Sequence, residues 1–185
     1  MSKAKDKLAY AVPTAKYADS EAWRFINRIR KNPFSADQEL AGIISLLREK
    51  NPFIFEEIIL NCCKSYKYFV IPKKGFTKDN GIDGGFAFHG RFYVVQCKLY
   101  KAEANPDHIR YFEKAIGWHQ AARGFFFHTG KTTDEFRKAV QEAKYVQVVS
   151  GRVLIDFLMG RKPLYLIGYH QKQTLELAAP VVEQP

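Results

Sequence analysis

The sequence has few cysteines and no long hydrophobic run. Cys62 and Cys63 are neighbours and Cys97 lies in an apolar stretch, so none of the three cysteines has the spacing of a disulfide framework or a zinc site. No run of about 18 apolar residues occurs, which excludes a membrane-spanning helix. Residues 1–16 lack the apolar core of a signal peptide. We therefore expect a cytoplasmic protein whose thiols are reduced and structural.

Acidic residues are scarce relative to basic ones. The chain of 185 residues has 29 lysines and arginines against 19 aspartates and glutamates, a formal net charge of +10. Such an excess favours a polyanionic partner such as nucleic acid, although solubility alone explains it equally well. A hydrophobic fraction of 46% supplies a core, and the length fits one domain with at most a small addition.

Composition and periodicity divide the chain into four segments. They are a flexible N-terminal segment (1–19), a helical appendage (20–51), a larger domain (52–170) and a C-terminal tail (171–185). Within the appendage, Ser35 and Gln38 form a capping box that begins the second of two helices. Because both of its helices have an apolar face, we expect the appendage to pack on the larger domain.

The larger domain combines helices with short apolar runs. A helix begins at Pro52, and later helices begin at Asn105-Pro106, ending near Gly124, and at Thr132. The predicted strands are Tyr68–Ile71, Ile82–Phe88, Phe92–Leu99, Phe125–His128, Tyr145–Val149 and, as a last candidate, Leu164–Tyr169. This order predicts an α/β fold in which helices flank a mixed sheet.

Aromatic residues outside these patterns are assigned to packing. The Phe125-Phe126-Phe127 run predicts a buried central strand, because aromatic side chains that stack on bases normally alternate with polar neighbours. Trp118 is expected in the core or in an interface. The histidines lack the spacing of metal ligands, so we assign them to the surface or to packing.

The stretch 81–98 predicts a β-hairpin that turns at His89-Gly90. If those two residues form the loop, Asp83 lies directly across from Gln96, and Lys98 is a diagonal neighbour on the same face. The hairpin then clusters an acid, an amide and a lysine. A strand facing solvent would show the same polar pattern, and a bulge at its glycines would shift the register.

Two adjacent glutamates on the helix from residue 52 lie on different faces. Glu57 shares a polar stripe with Asn61 that needs only water. Glu56 shares a stripe with Leu60 and Cys63 and is expected to face inward, where a carboxylate needs a cationic partner or a metal. Glu56 is therefore the candidate for chemistry, and a structural salt bridge to a lysine is the alternative.

These side chains suit a hydrolytic metal site. Asp83, Gln96 and Glu56 offer the hard oxygen ligands that Mg²⁺ prefers, and Mn²⁺ is a plausible substitute. The ion would polarise a phosphate oxygen and acidify the attacking water. Lys98 would orient or deprotonate that water and offset the charge that develops on the phosphoryl oxygens.

Five short segments share their residue types and order with a known enzyme family. They are Phe55-Glu56, Gly81-Ile82-Asp83-Gly84-Gly85, Gln96-Cys97-Lys98, His128-Thr129-Gly130 and Ser150-Gly151-Arg152-Val153-Leu154. Together they resemble the Mrr-like branch of the PD-(D/E)xK restriction-endonuclease superfamily. The resemblance covers residues 52–160 and implies a metal-dependent DNA endonuclease whose active site consists of the four candidate residues named above.

Partners and rival functions follow from the same candidates. Lys73, Lys74 and Lys78 precede Asp83 and are placed to bind DNA phosphates, although a solvated loop has the same composition. One active site cuts one strand, so double-strand cleavage requires a homodimer or two successive nicks. A structure-selective nuclease for junctions or repair, and a DNA-binding protein that keeps the fold without turnover, are the alternatives.

Overall fold

The computed structural model describes residues 13–31, 34–71 and 81–166. Within these ranges the helices are α1 (Ala15–Lys31), α2 (Glu39–Arg48), α3 (Pro52–Ser65), α4 (Pro106–Trp118), α5 (Asp134–Glu142) and α6 (Gly151–Leu158). The strands are β1 (Phe69–Ile71), β2 (Gly84–Phe88), β3 (Arg91–Lys98), β4 (Arg123–His128) and β5 (Val146–Ser150). None of the helices in this part of the chain has both the length and the apolar character needed to cross a membrane.

The five strands form one mixed sheet in the order β1-β2-β3-β4-β5. The pairs β1–β2 and β2–β3 are antiparallel, whereas β3–β4 and β4–β5 are parallel. Parallel neighbours need a crossover connection, and α4 and α5 supply the two crossovers. The predicted α/β fold with a mixed sheet flanked by helices is confirmed.

The predicted hairpin is formed by β2 and β3. Its loop is His89-Gly90, and both residues have positive φ values of 47° and 72°. That combination matches a type I′ turn, whose twist suits the strands that it joins. The register pairs Phe88 with Arg91 and Gly84 with Val95, as the two-residue loop requires.

Helices cover both faces of the sheet. On one face Tyr93, Val95 and Cys97 pack in a core shared with α1, α3 and α6. On the other face Val94 and Phe126 pack in a second core with α4 and α5. Gln96 alternates with Val95 along β3 and is only 6% exposed, so the polar side of β3 is not a solvent-facing surface. Residues Phe125–Phe127 are fully buried, as predicted.

The N-terminal helices are joined to the larger core. α1 begins at Ala15, so part of the segment 1–19 is helical, and Ala22 and Ile26 pack in the same core as α3. The predicted capping box of α2 is wrong. The helix begins at Glu39, the N-cap position Gln38 makes no side-chain cap bond, and Ser35 accepts backbone hydrogen bonds in the preceding turn.

Three other boundaries differ from the predictions. α4 ends at Trp118 because β4 already begins at Arg123. Trp118 is 75% exposed, so of its two predicted places the core is excluded, and a place in an interface stays a prediction. The side chain of Thr133, not Thr132, caps α5 by accepting the N–H of Phe136. Residues 164–166 do not form a strand, and the rest of that candidate lies outside the described residues.

A buried ionic cluster fastens α2 to the end of α6. Glu39 is 3% exposed and accepts hydrogen bonds from both guanidinium nitrogens of Arg161, at 2.8 and 2.5 Å. Arg152 lies 2.9 Å from the same carboxylate, while Asp156 lies 3.1 Å from Lys162. The bond from Arg161 lowers the pKa of the Glu39 carboxyl below its usual value, although burial acts in the opposite direction.

Candidate active site

Asp83 lies where the β2–β3 ladder stops. Its backbone N–H donates to the carbonyl of Val95 at 2.8 Å, and its Oδ2 accepts the N–H of Cys97 at 2.7 Å. The regular β2–β3 register ends with the pair of Gly84 and Val95. The expected direct pairing of Asp83 with Gln96 is therefore not formed. Instead, the aspartate contacts the backbone groups on either side of Gln96, because its carboxylate takes the position of a backbone acceptor.

Gln96 carries a buried side-chain oxygen. Within the described part of the chain, its Oε1 has no hydrogen-bond partner. An unsatisfied buried polar atom is costly, and such atoms are a recurrent feature of sites that take a ligand or an ion. A Cβ at Gly81 would come within 3.3 Å of Nε2, and Gly81 has a φ of 80°, so glycine suits this position for two reasons.

Lys98 ends β3, and the following segment is held against β4. Lys98 pairs with His128 in the parallel register, and the N–H of Thr129 donates to the carbonyl of Lys98 at 3.3 Å. The Thr129 hydroxyl accepts the N–H of Tyr100 at 3.1 Å and donates to its carbonyl at 3.0 Å. These bonds fix the backbone on the C-terminal side of the lysine.

Three of the candidate residues are charged, and all three affect the pKa of the Cys97 thiol. Burial raises the pKa of this thiol well above its usual value, and the carboxylates of Asp83 and Glu56 raise it further. Lys98 acts in the opposite direction. Because such effects weaken with distance, Glu56 on α3 lies within electrostatic reach of the strand end that carries Asp83 and Lys98.

The polar stripe of Glu57 is not a solvated surface. Asn61 is fully buried, where its Nδ2 donates to Asp19 at 3.0 Å and its Oδ1 accepts from Lys64 at 2.7 Å. Asp19 belongs to α1, which packs on this side of α3. The expectation that this stripe needs only water is therefore wrong. Both glutamates are half-buried, so burial alone does not separate them.

The candidate residues fit a hard divalent cation. Asp83 and Glu56 would supply carboxylates, and the Oε1 of Gln96, which has no hydrogen-bond partner among the described residues, would supply a third oxygen. Mg²⁺ in proteins is held by one or two carboxylates together with water and substrate phosphate. Across the described ranges, no group of three His, Cys, Asp or Glu side chains is arranged to hold a metal.

The sequence analysis missed a basic pocket beside the strand end. It has a volume of about 90 Å³ and is lined by Arg48, Lys50, Pro52, Leu99, Tyr100 and Lys101. The Nη2 of Arg48 donates to the carbonyl of Thr129 at 2.5 Å, while its buried Nε has no acceptor in the described part of the chain. Three cations and the first turn of α3 suit a phosphate group.

The signals for this pocket are scattered along the sequence. Its cations come from the end of α2, from the link to α3 and from the loop after β3, so no local motif unites them. The lysines that were predicted to bind DNA, Lys73, Lys74 and Lys78, lie outside the described residues.

Comparison with known proteins gives one family match. Residues 47–158 match the family Mrr_cat, described as restriction endonuclease. No curated protein matches the chain. The restriction endonuclease FokI is 13% identical with a TM-score of 0.48 over 76% of this chain and 30% of its own. The MspJI restriction endonuclease in complex with a 27-mer oligonucleotide is 12% identical with a TM-score of 0.36 over 83% and 35%. The chain thus spans only about a third of these two proteins.

Proposed function

Because the chain belongs to the restriction endonuclease family Mrr_cat, we propose that it is a metal-dependent endonuclease that hydrolyses the phosphodiester bonds of DNA. Family membership confirms the resemblance drawn from the sequence motifs. The observation that carries the proposal is the contact of Asp83 with both backbone neighbours of Gln96, whose buried Oε1 has no hydrogen-bond donor among the described residues.

Each candidate residue has a distinct task in this proposal. When bound by Asp83, Gln96 and Glu56, a divalent ion, Mg²⁺ or Mn²⁺, would supply Lewis acidity toward a phosphate oxygen and the attacking water. The Cys97 N–H orients the Asp83 carboxylate through its 2.7 Å bond. Lys98 orients or deprotonates the water and offsets the charge on the phosphoryl oxygens, while Thr129 fixes the backbone beside it.

The net charge of +10 then has a function in binding the DNA backbone. In this proposal the basic pocket of Arg48, Lys50 and Lys101 holds a phosphate next to the scissile bond, since one side of the pocket is formed by the residues 99–101, which directly follow Lys98. The lysines at positions 73, 74 and 78 would contact further phosphates. Cleavage of both strands would use a symmetric homodimer with one active site for each strand.

Metal removal tests the proposal directly. We expect the wild-type protein to nick or linearise plasmid and phage DNA in Mg²⁺, to leave it intact in EDTA, and to regain activity when Mg²⁺ or Mn²⁺ is restored, because the proposed hydrolysis depends on the Lewis acidity of the bound ion. Gel electrophoresis of methylated and unmethylated DNA measures the cleavage. Equal DNA integrity in every lane would contradict the nuclease assignment.

The basic pocket gives a second prediction, on binding. Lys50→Gln and Lys101→Gln are each expected to weaken duplex binding and to reduce the slope of log K against log salt by about 1, because each removes one phosphate contact. Fluorescence anisotropy in EDTA, where DNA stays uncut, measures both quantities. Lys138→Gln, an exposed change on α5, is the matched control. Wild-type slopes in both pocket variants would show that the pocket does not bind phosphate.

A further inference from the structure

A groove along the exposed side of α4 reaches the candidate active site. Its volume is about 380 Å³, and among the described residues it is lined by Gly81, Tyr111, Lys114, Ala115 and Trp118. Ligand sites of small molecules have volumes of about 300 to 1,000 Å³, so a planar group such as a base has room in it. The proposed endonuclease activity leaves this groove without a role.

The aromatic side chains of the groove are not needed for packing. Tyr111 and Trp118 are 65% and 75% exposed. Lys114, also exposed, lies between them on the same side of α4, because residues three and four apart are neighbours on a helix. The residues that pack α4 on the sheet are instead Ile109, Phe112, Ala115 and Ile116. The groove therefore presents an aromatic, a basic and a second aromatic side chain in a row.

Gly81 connects the groove to the catalytic residues. It is near enough to Gln96 that an added Cβ would lie 3.3 Å from the Nε2 of that side chain. Asp83 follows two residues later and contacts the backbone on both sides of Gln96. A group bound in the groove would consequently lie beside the DNA bond that the proposed active site cuts.

The chemistry of the lining favours a nucleobase over a protein surface. Aromatic faces beside cationic side chains are typical of sites that stack single-stranded nucleic acid, and this stacking tolerates any base. Lysine is depleted in the centre of protein interfaces, whereas Lys114 lines this groove and lies between its two aromatic residues on α4. The strongly basic chain attracts a polyanion as well.

We propose that this groove receives an unstacked base of the bound DNA, so that the protein prefers substrates with unpaired nucleotides beside the cut site. The inference rests on the proposed endonuclease function and specifies its substrate class. In a fully paired duplex the bases stay stacked inside the helix and cannot enter the groove. A gapped, bulged or flapped strand exposes them without the energetic cost of unpairing.

The test compares two DNA probes of equal length in EDTA, one fully paired and one with a short gap containing 2-aminopurine. We expect Trp118→Ala and Tyr111→Ala each to weaken binding of the gapped probe about tenfold, the size expected from the loss of one stacked base. Binding of the paired probe should change less than about twofold, since its bases do not reach the groove. Quenching of 2-aminopurine by the wild-type protein should be lost in Trp118→Ala. Tyr17→Ala, which removes a 53% exposed tyrosine on α1, is the control.

Several outcomes would overturn the proposal. They are equal losses for both probes, no effect of either variant, or a wild-type protein that does not favour the gapped probe. A change in sedimentation of Trp118→Ala, with losses on both probes, would instead identify the groove as an interface between two copies of the chain. Selective binding of the gapped probe by a protein that cuts no DNA would refute the endonuclease function while preserving the groove.

Discussion

Replacement of Asp83 or Lys98 by alanine is expected to lower the rate of DNA cleavage by about 10²- to 10³-fold, the loss typical when one group that stabilises developing charge is removed. Asp83→Ala removes a proposed metal ligand together with the acceptor for the Cys97 N–H. Lys98→Ala removes the lysine that is proposed to orient the water and to offset the charge on the phosphoryl oxygens. Initial rates of plasmid nicking in Mg²⁺ measure the effect, and circular dichroism verifies that both variants fold.

The two adjacent glutamates of α3 provide a matched control for this prediction. Glu56→Ala should lose cleavage to a similar extent, because the proposed mechanism uses its carboxylate as a metal ligand together with Asp83. Glu57→Ala should retain most activity, since that side chain shares the stripe of Asn61, which faces α1. Cleavage that survives Glu56→Ala and disappears in Glu57→Ala would show that the proposed metal ligand on α3 is the wrong glutamate.

Glu39→Gln is expected to lower the free energy of unfolding by about 2 kcal/mol at pH 7. The change removes the charge that pairs with Arg161 and Arg152 inside a nearly closed site. Both guanidinium groups are partly exposed, so water offsets part of the 3 to 5 kcal/mol that is typical when one partner of a fully buried ion pair is lost. Urea unfolding of wild type and variant measures the difference.

The difference in the free energy of unfolding between wild type and Glu39→Gln should depend on pH. The hydrogen bond from Arg161 depresses the pKa of Glu39 in the native state, so the stabilisation is present above the unfolded-state pKa of about 4.3. It disappears as the pH falls through the lower native pKa, and the curves of wild type and Glu39→Gln should converge there. Glu142→Gln, an exposed change on α5, should have little effect on the free energy of unfolding, both at neutral pH and at acidic pH. A constant difference at all pH values would contradict the proposed ion pair.

Features that depend on neighbours in the sequence could be predicted. The His89-Gly90 dipeptide specifies the turn of the hairpin, and alternation along β3 separates Val95 from Gln96. The family motifs at residues 81–85 and 96–98 also indicated the end of β3 as the candidate site, because each motif is short and contiguous in the sequence. The position of Asp83 was predicted only approximately. A regular register assumes backbone hydrogen bonds between the strands, whereas here the Cys97 N–H donates to the Asp83 carboxylate.

Features that depend on packing between distant segments could not be predicted. The sequence predicted a solvated Asn61 because it does not show that α1 covers this side chain. The ion pair between Glu39 and Arg161 joins residues that are far apart in the sequence, so no pattern indicated it. The basic pocket unites residues from three separate elements. The sequence left Trp118 between the core and an interface, and only the packing of α4, whose apolar face lies on the opposite side, excludes the core.

The strand order β1-β2-β3-β4-β5 also bears on the kinetics of folding. Every strand pairs with its immediate predecessor in the chain, so each pairing closes the shortest loop that the sequence allows. The β2–β3 hairpin needs no crossover and can form within microseconds, whereas the two parallel pairings wait for α4 and α5. Gln96 and Lys98, which the hairpin carries, would then be in place early, whereas Glu56 reaches them only through the packing of α3 on the sheet.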